Sequence, residues 1–153
     1  MSLDHDAIAA LIPHRGTMCL LARLHAWDRQ HIVCAASNHR DPAHPLRTRS
    51  GLVAPAAIEY AAQAMALHGA LIGRAAGTAA TPGYLASARG VHLHVLRLDT
   101  LPMDSAEADE LRITATRQAG DARQILYAFS ISHQGRPVAE GRAAVVLNTL
   151  LAA

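Results

Sequence analysis

Two polar side chains four residues apart stand inside the most apolar stretch of the chain. Residues 54–73 read APAAIEYAAQAMALHGALIG, in which Glu59, Gln63 and His68 are the polar exceptions. At this spacing, Glu59 and Gln63 lie one above the other on one face of a helix. A helix that is apolar on all sides is buried, and burial favours the neutral, proton-bearing form of a carboxyl group. The pattern therefore predicts a buried Glu59 that can donate a proton.

Gln63 has two interpretations at this position. It could orient the Glu59 carboxyl group or a water molecule beside it. Buried amides also commonly satisfy backbone groups, and that structural role is the simpler one.

The same stretch carries the signals of one long core helix. Its alanines favour a helix and leave a thin cylinder that neighbouring backbone can approach closely. Pro55 suits the first turn and Gly73 suits the end. The stretch has about the length of a membrane span, but its three polar residues argue against one. We therefore predict a central core helix over 54–73 and no membrane association.

Length and charge limit the classes of protein that fit. The chain has 153 residues and a formal net charge of +2, and all 14 of its basic residues are arginine. One domain over 1–153 is expected. The charge is too small to indicate nucleic acid binding, whereas an acidic protein or a phosphate-bearing substrate fits. Cys19 and Cys34 show neither a disulfide nor a metal spacing, and the start shows no signal peptide, so a cytoplasmic protein is expected.

The other elements are mostly strands. A short helix capped by Asp4 is predicted over 4–11, and a polar loop over 38–51 leads to the central helix. A connection of small residues follows that helix over 73–83. Strand patterns occur at 17–27, 31–37, 91–95, 110–117, 123–131 and 137–147. This order predicts an α+β fold in which one face of an antiparallel sheet packs on the central helix.

Two segments resemble a known family. Residues 12–24, IPHRGTMCLLARL, resemble the LPHR opening, with its following LL and DR pairs, of the hotdog-fold 3-hydroxyacyl-(acyl carrier protein) dehydratases. Residues 59–63, EYAAQ, resemble the E-x-x-A-Q segment of their central helix. Residues 51–71 look closer to the dehydratase-like proteins encoded with polyene pigment pathways than to the housekeeping enzymes. The order of the motifs extends the resemblance over nearly the whole chain.

The resemblance implies a hotdog fold, a curved antiparallel sheet wrapped around one long helix, working as a dimer. In that family the acyl chain lies in an apolar tunnel beside the helix, and each site draws residues from two subunits. Glu59 matches the position of the acid on the helix. His44 lies one residue before the position of the catalytic histidine, which is Pro45 here. Ala54-Pro55 stands where the family has Pro-Gly.

The chemistry that the resemblance implies is the removal of water from a 3-hydroxyacyl thioester. It needs a base for the C2 proton, an acid for the C3 hydroxyl and a donor for the thioester oxygen. Glu59 would be the acid and His44 the base. Backbone N–H groups around Val53 and Ala54, at the start of the helix, would bind the thioester oxygen.

The loop before the helix adds a basic rim. Arg40, Arg47 and Arg49 surround the helix entrance. They would bind an acidic carrier protein or the phosphate of its pantetheine arm. The simpler interpretation is a solvated loop.

The remaining histidine pairs have structural interpretations. His14 and Arg15 are expected to fix a turn. His92 and His94 lie on one strand face, as metal ligands do, but the sequence offers no third ligand. We therefore predict a solvated strand face, no metal and no other cofactor.

Three functions stay open at this point. The first is a dehydratase acting on a thioester of acyl carrier protein or coenzyme A, as a homodimer or higher oligomer. The second is an acyl thioesterase on the same fold, in which the carboxylate works with a water. The third is a non-catalytic or half-catalytic subunit that forms a heterodimer with another hotdog protein, as the displaced His44 suggests. Fold alone cannot separate them, but the PHR opening and the E-x-x-A-Q segment favour dehydration.

Overall fold

A seven-stranded antiparallel sheet and one long helix make up most of the molecule. The structure is a computed structural model that describes residues 3–14, 16–77 and 83–147. The helices are α1 (His5–Ala9) and α2 (Ala57–Ala75). The strands are β1 (Leu3–Asp4), β2 (Arg23–Trp27), β3 (His31–Ala36), β4 (Gly83–Leu93), β5 (Leu111–Gly120), β6 (Gln124–His133) and β7 (Arg136–Leu147). Their order across the sheet is β1-β2-β3-β5-β6-β7-β4, which confirms the α+β prediction.

Helix α2 is the core element that the sequence predicts. A single 3₁₀ turn, Ala54–Ala56, carries Pro55 and leads directly into it. Tyr60, Ala64, Leu67 and Leu71 are buried on the helix, which packs chiefly against β3, β5 and β6. Among the described residues, no helix is long and apolar enough to cross a membrane.

The inner face of the sheet follows the alternation read from the sequence. The buried positions are Leu111, Ile113 and Ala115 on β5 and Ile125, Tyr127, Phe129 and Ile131 on β6. Cross-strand neighbours pair in register, as Ile113 does with Ile131. Full burial of each large apolar side chain contributes about 1.5–3 kcal/mol, so this face and α2 form the core.

A tight turn joins β6 to β7. Gln134 and Gly135 have φ angles of 48° and 78°. Two successive residues with positive φ make a type I′ turn, which matches the twist of a hairpin and suits glycine.

Two strands differ from their predicted bounds. Only Arg23–Trp27 of the predicted strand 17–27 is a strand. The backbone of Met18 and Leu20 is hydrogen-bonded to the side chain of Gln63 instead of to a neighbouring strand. Strand β4 begins at Gly83 rather than at residue 91 and pairs with β7. Residues 78–82 of the predicted connection lie outside the described residues.

The loop before α2 is fixed at its start by one carboxylate. Asp109 accepts hydrogen bonds from His39 (3.0 Å), from His133 (2.8 Å) and from the Arg40 guanidinium at both of its oxygens (2.7 and 3.1 Å). Arg40 also donates to the carbonyl oxygens of residues 99 and 101. We call His39, Arg40, Asp109 and His133 the Asp109 cluster. It joins the loop to the start of β5 and the end of β6.

A second carboxylate fixes the end of the same loop. Asp99 accepts from the Leu52 N–H (3.1 Å) and from the Arg97 guanidinium (2.6 Å). The hydrogen bond from Arg97 lowers the pKa of Asp99 to about 2. Gly51 adopts a φ of 92° beside this pair, and a Cβ there would collide with Arg97, so only glycine fits this turn without strain.

Candidate active site

Glu59 lies in the first turn of α2 and is held at one of its two oxygens. His14 Nε2 lies 3.0 Å from Glu59 Oε1, and Gln63 Nε2 donates to the same atom at 3.1 Å. The Glu59 side chain is 32% exposed. Within the described residues no hydrogen bond reaches Oε2. That oxygen is therefore the atom open to a ligand.

The charge state of Glu59 is opposite to the sequence prediction. Burial alone would raise the pKa of this carboxyl group, and the sequence predicted that effect to dominate. The hydrogen bond from His14 is the larger effect and lowers the pKa, with Gln63 acting in the same direction. The prediction of a proton-bearing Glu59 is therefore wrong for the unliganded chain, in which Glu59 is a carboxylate at neutral pH.

Gln63 has the structural role that the sequence analysis considered the simpler one. It is fully buried. Its amide nitrogen donates to the Met18 carbonyl at 2.7 Å, and its carbonyl oxygen accepts from the Leu20 N–H at 2.7 Å. These bonds hold the segment before β2 against α2. The side chain also orients Glu59, so both interpretations apply.

Replacing Gln63 with leucine should destabilise the protein by about 2 kcal/mol. The buried Leu20 N–H would lose its acceptor, and an unsatisfied buried backbone group costs about 1–3 kcal/mol. Urea unfolding followed by circular dichroism measures the change. Gln30→Leu, at an exposed position in the β2–β3 turn, is the matched control. Equal stabilities of the two variants would contradict the role given to the amide.

His14 is the site residue that the sequence analysis assigned elsewhere. The sequence predicted a turn for His14 and Arg15, but His14 contacts Glu59 instead, and Arg15 lies outside the described residues. The Nδ1 atom of His14 is buried and has no hydrogen-bond partner among those residues. The signal that could have indicated this contact is the PHR motif itself, a polar pair between the buried Ile12 and Leu20.

An apolar cavity of about 260 Å³ runs beside α2. It is lined by Leu11, Ile12, Pro13, Met65, Ala66, Gly69, Ala70, Gly83, Ile125, Tyr127, Val145 and Leu147. Ala66 and Ala70 share a helix face with Glu59, about two and three turns further along. Pro13 directly precedes His14. Neither Glu59 nor His14 lines the cavity itself, but the cavity reaches the residue before His14 and the later turns of the helix face that carries Glu59.

His44 lies in a hydrogen-bonded chain that uses both of its ring nitrogens. The Leu46 N–H donates to Nδ1 at 3.0 Å, so Nδ1 is an acceptor and the ring proton is on Nε2. Nε2 then donates to the Tyr60 hydroxyl at 2.9 Å, and that hydroxyl donates to Asn38 Oδ1 at 2.6 Å. Burial lowers the pKa of His44, which fits a neutral ring.

The single chain does not bring His44 and Glu59 together. His44 bonds to Tyr60, the residue after Glu59, and successive side chains leave a helix about 100° apart. His44 also lines a separate pocket of about 540 Å³ with Asn38, Asp41 and Cys19. Within one chain the predicted base and the predicted acid thus face different spaces, and His44 offers no open nitrogen.

The helix start is also engaged within the chain. The Ala54 N–H donates to the Leu96 carbonyl at 3.0 Å, and the Leu98 N–H donates to the Leu52 carbonyl at 2.7 Å. These two bonds flank Val53, which forms an isolated bridge with Arg97. A thioester oxygen would have to displace Leu96 to reach the Ala54 N–H, so this predicted donor is not open in the unliganded chain.

Two of the three arginines predicted as a basic rim have partners in the chain. Arg47 lies 3.4 Å from the Asp99 carboxylate, and Arg40 belongs to the Asp109 cluster. Arg49 is exposed. The ion pairs reduce the charge that Arg40 and Arg47 can offer to a phosphate, because each already faces a carboxylate.

The histidines of β4 do not form a metal site with a third ligand in the described part of the chain. His94 Nε2 lies 3.6 Å from the exposed Glu140 carboxylate on β7. The described residues bring three possible metal ligands together only at His39, Asp109 and His133. There the Arg40 guanidinium already donates to both Asp109 oxygens, so the carboxylate serves as a hydrogen-bonded anchor, while His39 Nδ1 has no partner among the described residues.

Comparisons with known proteins show the family and the fold of the chain. A family model described as ApeP-like, ApeP dehydratase, matches residues 6–152. A chain of the dehydratase heterocomplex ApeI:P from Xenorhabdus doucetiae is 22% identical with a TM-score of 0.79, covering 97% of this chain and 93% of that one. No curated protein matches the chain in sequence.

More distant structures share the same fold. The HP0420 homologue from Helicobacter felis is 14% identical with a TM-score of 0.60, covering 94% of this chain and 88% of its own. A hypothetical thioesterase bound to coenzyme A, from Streptococcus pneumoniae TIGR4, is 12% identical with a TM-score of 0.54, covering 82% and 84%. Both are hotdog-fold neighbours, which confirms the hotdog prediction. The family match spans nearly the whole sequence, and the chain therefore belongs to the ApeP-like dehydratase family.

Proposed function

We propose that the chain is a subunit of a 3-hydroxyacyl-thioester dehydratase whose substrate is carried by acyl carrier protein. One observation carries the proposal: a glutamate with one open oxygen lies on the same face of α2 as Ala66 and Ala70, which line an apolar cavity. The cavity would hold the acyl chain. The open oxygen, Oε2 of Glu59, would take the proton from C2 of the acyl chain and pass it to the departing C3 hydroxyl.

The charge state of Glu59 shapes the proposed reaction. As a carboxylate, Glu59 accepts the C2 proton at Oε2, and the electron pair of that C–H bond forms the C2–C3 double bond. The C3–O bond breaks, and the proton on Oε2 passes to the departing hydroxyl, which leaves as water. Glu59 returns to its charged form. Entry of an acyl chain displaces water from the carboxylate, which raises its affinity for the proton.

A second hotdog subunit would complete the site. Strand β4 is an edge strand of the described sheet, and Tyr84, Leu85 and Leu93 on it are exposed apolar side chains. A long apolar edge of this kind is suited to pairing with another chain. The ApeI:P structure is a heterocomplex, and we extend that arrangement to this chain. The partner would supply the group that His44 and Ala54 do not offer, namely a base or a donor to the thioester oxygen.

The experiment uses 3-hydroxyacyl carrier protein as the substrate. The purified chain is incubated with it alone and together with an ApeI-type hotdog subunit, and intact-protein mass spectrometry follows the loss of one water. Dehydration by either preparation supports the proposal. Activity of the chain alone indicates a homo-oligomer, and activity only after mixing indicates a heteromer. Release of free thiol without a mass change to the enoyl product would identify a thioesterase and overturn the proposal.

The thioester handle is tested in the same assay. The coenzyme A thioester of the same acyl chain replaces the carrier protein. We expect a lower kcat/KM with coenzyme A, because it lacks the protein surface that an arginine such as Arg49 would contact. Equal kcat/KM values would show that the carrier protein is not the preferred handle.

A further inference from the structure

We propose that His14 is a positioning residue of this site, which holds Oε1 of Glu59 so that Oε2 faces the substrate. The inference rests on the proposed function and adds a residue to it. His14 was expected only to fix a turn, and its contact with Glu59 is what gives it this role.

The geometry limits what His14 can do. Its Nε2 atom lies 3.0 Å from Glu59 Oε1, and its Nδ1 atom is buried. Neither ring nitrogen is therefore open to a substrate, and His14 acts through Glu59. A charge-assisted hydrogen bond is shorter and stronger than a neutral one, so the ring is a firm anchor for the carboxylate.

Gln63 shares this work but differs in one respect. Its amide donates to the same oxygen as His14, so both bonds turn Oε2 outward. Gln63 is itself fixed by the backbone on either side of Cys19, and it carries no charge. Among the described residues, His14 is the one titratable group whose charge acts on Glu59. Both residues therefore orient Glu59 and lower its pKa, but the hydrogen bond from His14 has the larger effect on the pKa.

Each contact has a distinct consequence for the proton. The hydrogen bond from His14 lowers the pKa of Glu59 and burial raises it. Removing His14 leaves burial as the larger influence, so the pKa of Glu59 rises. Because the proposed reaction starts from the carboxylate, the acid limb of the pH profile of kcat should then move to higher pH.

The first test measures Glu59 directly, without turnover. The chain has four glutamates, so carboxyl ¹³C resonances of labelled protein can be assigned with Glu59→Gln. In His14→Leu we expect the Glu59 titration to move upward by about one pH unit or more. In His14→Gln, whose amide N–H can replace Nε2–H without charge, we expect a smaller upward movement. His92→Gln, at an exposed position on β4, should leave it unchanged.

The second test measures turnover in the assembled dehydratase. The acid limb of kcat should move upward in His14→Leu, with little change in KM and with partial recovery in His14→Gln. A folded His14→Leu protein with an unchanged Glu59 titration would overturn the inference, and so would an unchanged pH profile. If His14→Leu does not fold, the same criteria apply to His14→Gln. If the titration moves while the wild-type protein dehydrates nothing, the proposed function fails and the His14–Glu59 pairing stands.

Discussion

Replacing Glu59 with glutamine should reduce kcat/KM for dehydration by about a thousandfold, the range expected when a positioned acid–base group is removed. Glutamine keeps the shape of the side chain and can still accept from His14 at one oxygen. It cannot accept or return a proton at the position of Oε2. The rate at which the assembled enzyme dehydrates the 3-hydroxyacyl carrier protein substrate measures the loss.

The control for this change is Glu140→Gln. Glu140 is exposed on β7 and lies outside the cavity, so its variant should keep the wild-type rate. Circular dichroism should show that both variants are folded. Wild-type turnover by a folded Glu59→Gln protein would remove Glu59 from the reaction, and with it the proposed site.

The second large effect is expected on stability, at the Asp109 cluster. Asp109→Asn should lower the free energy of unfolding by about 3 kcal/mol, because breaking a largely buried charge pair leaves its partner uncompensated. The amide of asparagine would also turn an N–H toward the Arg40 guanidinium or toward the buried ring of His39 or His133. For a chain of this length the melting temperature should fall by about 6–12 °C.

The control for this change is an exposed aspartate. Asp104→Asn removes an exposed partner of Arg136 and should change stability by no more than about 0.5 kcal/mol.

Arg40 holds the pKa of Asp109 far below its usual range. The stabilisation by the Asp109 carboxylate is therefore complete above the pKa that the group has in the unfolded chain, about 4. This stabilisation is lost as the pH falls below that value. The stability difference between wild type and Asp109→Asn should narrow from pH 5 toward pH 2, and a constant difference would contradict the assignment.

The parts of the fold that the sequence predicts well are those that local pattern determines. The apolar run at 54–73 can only be buried, and the alternation around Ile113 and Phe129 assigns each residue of its strand to one face. The sequence pattern predicts the start of β4 at residue 91 rather than at Gly83. The reason is that the first half of the strand, GYLASARG, contains small and polar residues without alternation. It is a strand because β7 supplies its hydrogen bonds, and that partner lies far away in sequence.

The site was harder to predict because its contacts depend on the fold. Glu59 stands out in the sequence because a carboxyl side chain is unusual inside an apolar helix. Its partner His14 reaches it only because Gln63 fixes the intervening backbone at Met18 and Leu20. The role of His44 depends on the Leu46 N–H, which sets the ring tautomer, and no spacing rule contains that information.

The pairing of β4 with β7 has a consequence for how a nascent chain folds. Strand β4 leaves the ribosome well before β7 is synthesised. The backbone groups and the exposed apolar residues of β4 therefore stay unpaired while β5 and β6 are made. Contacts that join distant parts of a chain also form slowly, and chains with unpaired strands are prone to aggregation. A chain that stops short of Arg136 would lack the neighbour of β4 entirely and should be recovered mainly in inclusion bodies. Formation of the β6–β7 hairpin therefore determines whether newly made molecules fold or aggregate.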